Sequence, residues 1–346
     1  MMKLSFRLLA RIAFLLLVLV LLAIGGALAW FTSWRSDRLA ALDGASEMAD
    51  TTYGKVEFLL RGEGPTVLVF HGAPGGYDQA LLLGEGLMDE GFQVVAPSRP
   101  GYLRTPLASG VLPMQQADAM MALLDTLGLP AVAVLGTSAG APAAIEFALR
   151  HPSRVRALVL LSPVTQRINP RSEEGRMEFG RLMLNGLTGD IGSWLAVETA
   201  ENDPRRIVEW MLDRTFSGNP TQREIVINSV LQPANVSQLD WFRGLVGTFA
   251  PLSPREAGAR NDLLQMRALG KLPLEELTVP TLIVQGAEDS CVPLAEVQAA
   301  AGRIPTCSLF SVPEAGHLVQ IGPHAEEVQA KIVEFLNPIF SGTPQP

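Results

Sequence analysis

Ser138 stands in Gly136-Thr137-Ser138-Ala139-Gly140, directly after the apolar run Ala131-Val132-Ala133-Val134-Leu135 and before a helix-forming stretch, 141–150. A serine forced onto a sharp strand-to-helix turn presents its hydroxyl above the sheet, and the backbone N–H groups of the helix start face whatever it attacks. Glycines two residues to either side suit so tight a turn, because a Cβ there would collide with neighbouring backbone. The chemistry this points to is nucleophilic attack by Ser138 on an acyl carbon. The plainer reading, a glycine-rich βα loop, needs no chemistry at all.

A serine hydroxyl is a poor nucleophile at neutral pH and needs a base, usually a histidine held by a carboxylate. The chain has four histidines. His151 lies about 13 residues beyond Ser138, at the far end of the expected helix and so roughly 20 Å away. His324 opens the last expected helix, and His71 follows a strand among residues suited to another role. His317, in Glu314-Ala315-Gly316-His317-Leu318, sits just after the final expected strand. In a parallel sheet that loop shares an edge with the Ser138 turn, so His317 is the expected base. The acid should come from another loop on that edge. Asp289, in Gly286-Ala287-Glu288-Asp289-Ser290-Cys291-Val292-Pro293, is the first choice and Glu288 the fallback. Asp125 and Glu146 fall mid-helix, where solvated faces account for them. An oxyanion formed at the carbonyl needs two donors. The N–H of Ala139, the residue after the serine, is one. The N–H of Ala73, in the small-residue loop His71-Gly72-Ala73-Pro74-Gly75-Gly76, is the other, although a tight glycine turn would read the same way.

These loops need a scaffold to bring them together. Short apolar runs at 56–60, 66–70, 93–96, 131–135, 157–161, 281–285 and 307–312 read as strands. Helix-like stretches at 79–90, 114–127, 139–150, 294–303 and 324–336 lie between most of them. The alternation predicts an α/β fold: a mostly parallel sheet covered by helices on both faces, with core segments 53–163 and 280–337. Between them, 164–279 shows helix formers, Trp194, Trp210, Trp241 and several methionines but no strand run. That is too long for a loop and predicts a helical cap inserted into the sheet. The tryptophans and methionines there either line a pocket or pack the insertion's own core.

The N-terminus carries Lys3, Arg7 and Arg11 in a basic segment, 1–11, followed by an uncharged run from 12 to 31 closed by Trp30, Phe31 and Trp34. About 20 apolar residues match a bilayer core, and aromatic residues favour its interfaces. Segment 12–34 therefore reads as a transmembrane anchor, with the remainder on the extracytoplasmic side, periplasmic if the source is bacterial. The alternative is a signal peptide cut after Ala27-Leu28-Ala29, leaving a secreted protein. Residues 35–52 read as a polar spacer and 338–346 as a tail. A net charge of −8 with no basic patch excludes a nucleic-acid partner. Cys291 and Cys307 are too few for a metal site; they form either a disulfide across the 294–303 helix or two buried free thiols. The pattern calls for no cofactor.

Over roughly 53–337 the chain resembles the α/β-hydrolase superfamily, through His71-Gly72-Ala73-Pro74-Gly75, the Ser138 pentapeptide, the 286–293 loop and Gly316-His317. The order Ser138, Asp289, His317 is also the order of that fold. It is most similar to the branch with an H-G-x-P-G oxyanion loop and a helical cap, which implies a cis Ala73-Pro74 bond. That branch includes epoxide hydrolases and haloalkane dehalogenases with an aspartate nucleophile, where this chain has Ser138. It also includes proline iminopeptidases with H-G-G-P-G and a tryptophan after the serine, where this chain has Ala73 and Ala139. By elimination the resemblance implies a serine esterase acting on a small acyl substrate, and the N-terminal run adds the expectation that it is membrane-anchored. A peptidase or amidase of the proline iminopeptidase type, or a non-catalytic ligand-binding protein of the same fold, are the alternatives.

Overall fold

The computed structural model describes residues 6–167, 186–232 and 236–342. Residues 168–185 and 233–235 of the expected cap lie outside the described residues, as do 1–5 and 343–346 at the ends. The chain divides into two units, Met1–Ala45 and Ser46–Pro346. The first is a single helix, α1 (Phe6–Ala45), with a mean hydropathy of 3.0 in its most apolar stretch. At 1.5 Å per residue it is about 60 Å long. It does not stop at 34. Arg35, Arg38 and the Leu39-Ala40-Ala41-Leu42 run are good helix formers with no glycine before Gly44, so the helix continues into the stretch expected as a spacer.

The rest of that stretch is also structured. β1 (Glu47–Thr51) pairs antiparallel with β2 (Gly54–Arg61), forming an edge strand whose polar alternation hid it in the sequence. β3 (Thr66–Phe70), β4 (Gln93–Pro97), β5 (Val132–Thr137), β6 (Val155–Leu161), β7 (Thr281–Gly286) and β8 (Cys307–Val312) complete one eight-stranded sheet. The spatial order is β1-β2-β4-β3-β5-β6-β7-β8. β2 pairs antiparallel with β4, and every pairing from β4 to β8 is parallel. Each apolar run expected as a strand falls within β2 to β8, except that Ala131 lies one residue before β5. β3 and β7 are buried along their whole length, which is why they read as continuous apolar runs and not as alternating ones.

α2 (Tyr77–Asp89), α3 (Pro113–Thr126) and α4 (Ala141–Arg150) connect successive parallel strands, as does α10 (Leu294–Ala301) between β7 and β8. α11 (Ala325–Ser341) follows β8 and runs past 337 into the stretch expected as a tail, because its apolar face continues through Leu336 to Ile339 and Phe340. Between β6 and β7 lie α5 (Gly186–Asn202), α6 (Pro204–Thr215), α7 (Pro220–Leu231), α8 (Val236–Gly247) and α9 (Glu256–Ala268). α6 buries Ile207, Val208, Met211 and Leu212, one face at helical spacing. These pack with Val226, Ile227, Val230 and Phe242 into a core separate from that of the sheet.

Parallel strands end on one edge, and the loops after β3, β5, β7 and β8 all leave from it. At the end of β5 the chain turns through Ser138–Gly140 into α4, and Ser138 takes a positive φ of 49°. Space around the turn is minimal. A Cβ on Gly140 would lie 2.3 Å from the His71 carbonyl oxygen and 2.5 Å from that of Phe70. Both obstacles are backbone of β3 and its loop, so they cannot rotate away. Gly140→Ala should therefore lower the unfolding free energy by about 2–3 kcal/mol in urea titration, as overpacking does. A variant as stable as the parent would mean that the β3 loop yields without cost.

Candidate active site

Ser138 Oγ lies 2.8 Å from His317 Nε2, and His317 Nδ1 lies 2.8 Å from Asp289 Oδ2. The three side chains come from the loops after β5, β8 and β7. Asp289 is buried, whereas Ser138 and His317 are partly exposed. Asp289 Oδ1 accepts from the backbone N–H groups of Cys291 and Val292, at 2.7 and 2.9 Å, and Oδ2 accepts from Gln285 Nε2 at 2.9 Å. Glu288 points elsewhere: its Oε1 accepts from Gln222 of α7 at 3.2 Å. His317 is held through its backbone, its N–H donating to the Thr215 carbonyl (2.9 Å) and its carbonyl accepting from Ser162 Oγ (2.8 Å).

Thr215 ends α6, and the segment Arg214-Thr215-Phe216-Ser217 clasps both loops. Ser217 N donates to the Glu288 carbonyl at 2.8 Å, Phe216 forms a lone β-bridge with Asp289, and Ser290 Oγ donates to the Arg214 carbonyl at 3.1 Å. A Cβ on Gly316 would meet the Thr215 oxygen at 2.5 Å, so the clasp needs glycine beside His317. All but the Ser290 contact join backbone to backbone, and nothing in the sequence marked them.

Ala73 is exposed at the tip of the loop after β3, and the Ala73-Pro74 bond is cis. The loop passes close to the serine: a Cβ on Gly72 would lie 3.5 Å from Ser138 Cβ. Ala139 is the middle residue of the 3-10 turn Ser138–Gly140. Two fully buried arginines brace the loop from behind. Arg99 Nε donates to the His71 carbonyl at 2.8 Å, and its guanidinium pairs with Asp262 of α9, 2.9 Å to Oδ1. Tyr102 donates to the same carboxylate. Arg255 donates to the Gly75 carbonyl at 2.8 Å and pairs with Asp78 at 2.7 Å. Burial, reinforced by Arg99, pushes the His71 pKa well below its usual range. A neutral His71 then accepts from the Arg99 N–H at Nε2 (3.0 Å) and donates from Nδ1 to the Gly72 carbonyl (2.7 Å). Sequence reasoning missed Arg99, Asp262, Arg255 and Asp78. The one available signal was Arg99 itself, a charge two residues beyond the apolar β4.

A cavity of about 60 Å³ opens onto Ser138 and His317. Its walls include Gly72, Ala73 and Leu83 from the core and Trp241, Leu245 and Phe249 from the insertion. Trp241 thus lines the cavity and also packs against the insertion's own core, as Trp210 does. Among the described residues the lining carries no charged side chain apart from the titratable His317.

The remaining histidines lie elsewhere. His151 pairs with Asp118 at 2.9 Å beyond the end of α4, and His324 with Glu327 at 3.0 Å at the start of α11. Cys291 and Cys307, both half-buried, are not joined in a disulfide, and burial pushes the Cys307 pKa up to about 11. Asp289, Cys291 and His317 offer ligand atoms within 4.8 Å of one another. A metal ion there would have to displace the donors already bound to Asp289.

A family model described as the alpha/beta hydrolase fold matches residues 65–323. An uncharacterized hydrolase, YcgS, of Bacillus subtilis (strain 168) is 27% identical over 82% of this chain and 95% of its own length. A 2-hydroxy-6-oxononadienedioate/2-hydroxy-6-oxononatrienedioate hydrolase of Pseudomonas putida is 30% identical over 84% of this chain and 96% of its own. Among solved structures, an alpha/beta hydrolase fold protein from Nakamurella multipartita aligns with a TM-score of 0.76 at 31% identity, covering 84% of this chain and 98% of that one.

The Arg99–Asp262 pair joins core to insertion with both side chains nearly inaccessible, 1% and 4% exposed. Asp262→Ala strands a buried guanidinium and should cost about 3–5 kcal/mol of unfolding free energy. The double variant Arg99→Met, Asp262→Ala should recover at least about 1 kcal/mol of the summed single losses. Additive losses in urea titration would show that the two charges are not coupled.

Proposed function

The chain belongs to the alpha/beta hydrolase fold family, and on that premise we propose that it is a serine hydrolase of small, uncharged carboxylic esters working through an acyl-enzyme. The observation that carries this reading is the continuous hydrogen-bond path from Ser138 Oγ through His317 to Asp289, 2.8 Å at each step. His317 Nε2 takes the Ser138 proton as Oγ attacks the carbonyl carbon, and Asp289 orients the imidazole and balances its charge. The N–H groups of Ala139 and Ala73 receive the oxyanion. Collapse expels the alcohol, protonated by His317, and a water deprotonated by the same imidazole releases the acid.

Serine in place of an aspartate nucleophile argues against epoxide and haloalkane hydrolysis, and Ala73 and Ala139 depart from the peptidase pattern. The Pseudomonas putida relative is named for dienedioates, which are dianions at neutral pH. Among the described residues the lining around Ser138 carries no carboxylate, lysine or arginine, which favours a neutral acyl group instead. Ser138→Ala should reduce hydrolysis of a short-chain p-nitrophenyl ester by a factor of about 10³ or more while the fold persists. Asp289→Asn should lower kcat by about 10²–10⁴, and Glu288→Gln should cost little. Retained kcat in Ser138→Ala would remove the nucleophile. A parent that binds esters without turnover, and resists a serine-reactive phosphonate, would be a ligand-binding protein of this fold.

We further propose that α1 anchors the enzyme in a membrane, with residues from about Arg35 onward extracytoplasmic. The supporting observation is a helix whose apolar part is long enough to cross a bilayer, preceded by Lys3, Arg7 and Arg11. Deleting residues 1–34 should leave a soluble, active enzyme, since no proposed catalytic residue comes from that segment. N-terminal sequencing of membrane-recovered protein is the decisive measurement, and a mature chain starting at Trp30 would mean a cleaved signal.

A further inference from the structure

Gln285 lies in β7, four residues before Asp289, and is completely buried. Its Nε2 donates to Asp289 Oδ2 at 2.9 Å and to the Val292 carbonyl at 2.8 Å. Its Oε1 is buried with no hydrogen-bond partner among the described residues. A bare buried acceptor is uncommon and needs a reason. Turning the amide over gives no relief, because Oε1 would then face a carboxylate oxygen and a carbonyl oxygen with no proton between them. Leu282, Ile283 and Val284 fill the preceding positions of the strand, so an apolar side chain would suit its packing. The amide is kept for its donor.

That donor completes a set. Asp289 has two oxygens and accepts four hydrogen bonds: Cys291 N and Val292 N on Oδ1, Gln285 Nε2 and His317 Nδ1 on Oδ2. The Oδ1 contacts are local to the acid loop and fold it. The Gln285 contact is the one that fixes, from the sheet, the oxygen that meets the imidazole. We propose that Gln285 is a positioning residue of the catalytic unit, holding Asp289 Oδ2 on line with His317 Nδ1 while the proton moves between Ser138 and Nε2. This rests on the reading of Ser138, His317 and Asp289 as that unit.

Two substitutions of similar length test it in the full-length protein. Gln285→Met removes the donor. Gln285→Glu keeps one only while the new carboxyl is protonated, and burial beside Asp289 favours the protonated form at neutral pH. Asp289, Cys291 and His317 bring titratable atoms together on the loops around it, and Glu288 and Glu314 lie on the same two loops, Glu288 turned towards Gln222. Three readouts are taken: the rate of Ser138 labelling by a fluorophosphonate, kcat and KM for p-nitrophenyl acetate, and the thermal midpoint. In Gln285→Met, labelling rate and kcat should fall together by about 5–50-fold with KM within two-fold, the loss expected of a misaligned catalytic group. Gln285→Glu should stay within about five-fold of the parent near pH 6.5 and fall to the Gln285→Met level by pH 9, as its proton is lost.

A Gln285→Met enzyme with kcat and labelling within two-fold of the parent would overturn the proposal. So would a loss confined to KM, or an equal loss in both variants at every pH, which would mark a packing role. If Gln285→Met does not fold, the pH profile of Gln285→Glu decides alone. A parent that is labelled but hydrolyses no ester would remove the substrate reading, and the labelling rates would still judge Gln285. A parent that is not labelled would remove the catalytic unit and this proposal with it.

Discussion

The backbone at Ser138 is left-handed, φ 49°, a conformation that costs an L-residue roughly 1–2 kcal/mol and persists only where its surroundings leave no alternative. Here the surroundings are the middle of the sheet. β5 runs between β3 and β6, its last residues paired on both sides, so the strand cannot retreat. α4 packs back so closely that a Cβ on Gly136 would lie 2.5 Å from that of Ala144. Strand and helix approach from fixed directions, and the residue joining them absorbs the mismatch. Its hydroxyl stands clear of the sheet as a result, and the loops after β3, β7 and β8 have something to converge on.

Convergence is not left to the sheet alone. Besides walling the cavity, the insertion between β6 and β7 braces the loops of the site by hydrogen bonds. Asp262 holds Arg99 against the His71 carbonyl, Arg255 holds the Gly75 carbonyl, and the end of α6 holds the loops of Asp289 and His317. The first two place buried guanidinium groups on backbone oxygens of the loop that carries Ala73. Such groups are costly to bury unpaired, so each is matched by a carboxylate, Asp262 or Asp78. The geometry of the loop is therefore specified by charges that lie off the reacting centre.

How much of this could be read beforehand follows from the physics of each part. The parallel strands were visible because burial on both faces demands uninterrupted apolar runs. Ser138, His317 and Asp289 were named because a parallel sheet puts the ends of its strands together, so position after a strand stands in for position in space. β1 was hidden: an edge strand with one buried residue in five has no apolar run to show. The helix past Trp34 was hidden because its polar residues suited a spacer equally well. Asp262 and Arg255 lie more than 150 positions from the groups they hold, and pairing over such separations leaves no local pattern. Gln285 closed an apolar run, and its polar end passed unremarked.

The clasp formed by α6 gives the insertion an unusual boundary. In chain order the insertion starts after β6 and returns before β7, and by that measure it is a module that relatives could exchange. In space, the Thr215 carbonyl takes the N–H of His317, and Ser217 takes the carbonyl of Glu288. Residues 214–217 are thus framework for the acid and histidine loops, although they are encoded in the middle of the insertion. A chimera that swaps the whole insertion between relatives discards this framework along with the substrate-facing wall. One that retains 214–217 and exchanges the Trp241, Leu245 and Phe249 wall alters what enters the cavity and leaves what happens there intact. The site of interchangeability in this fold is set by hydrogen bonds and not by the order of the chain.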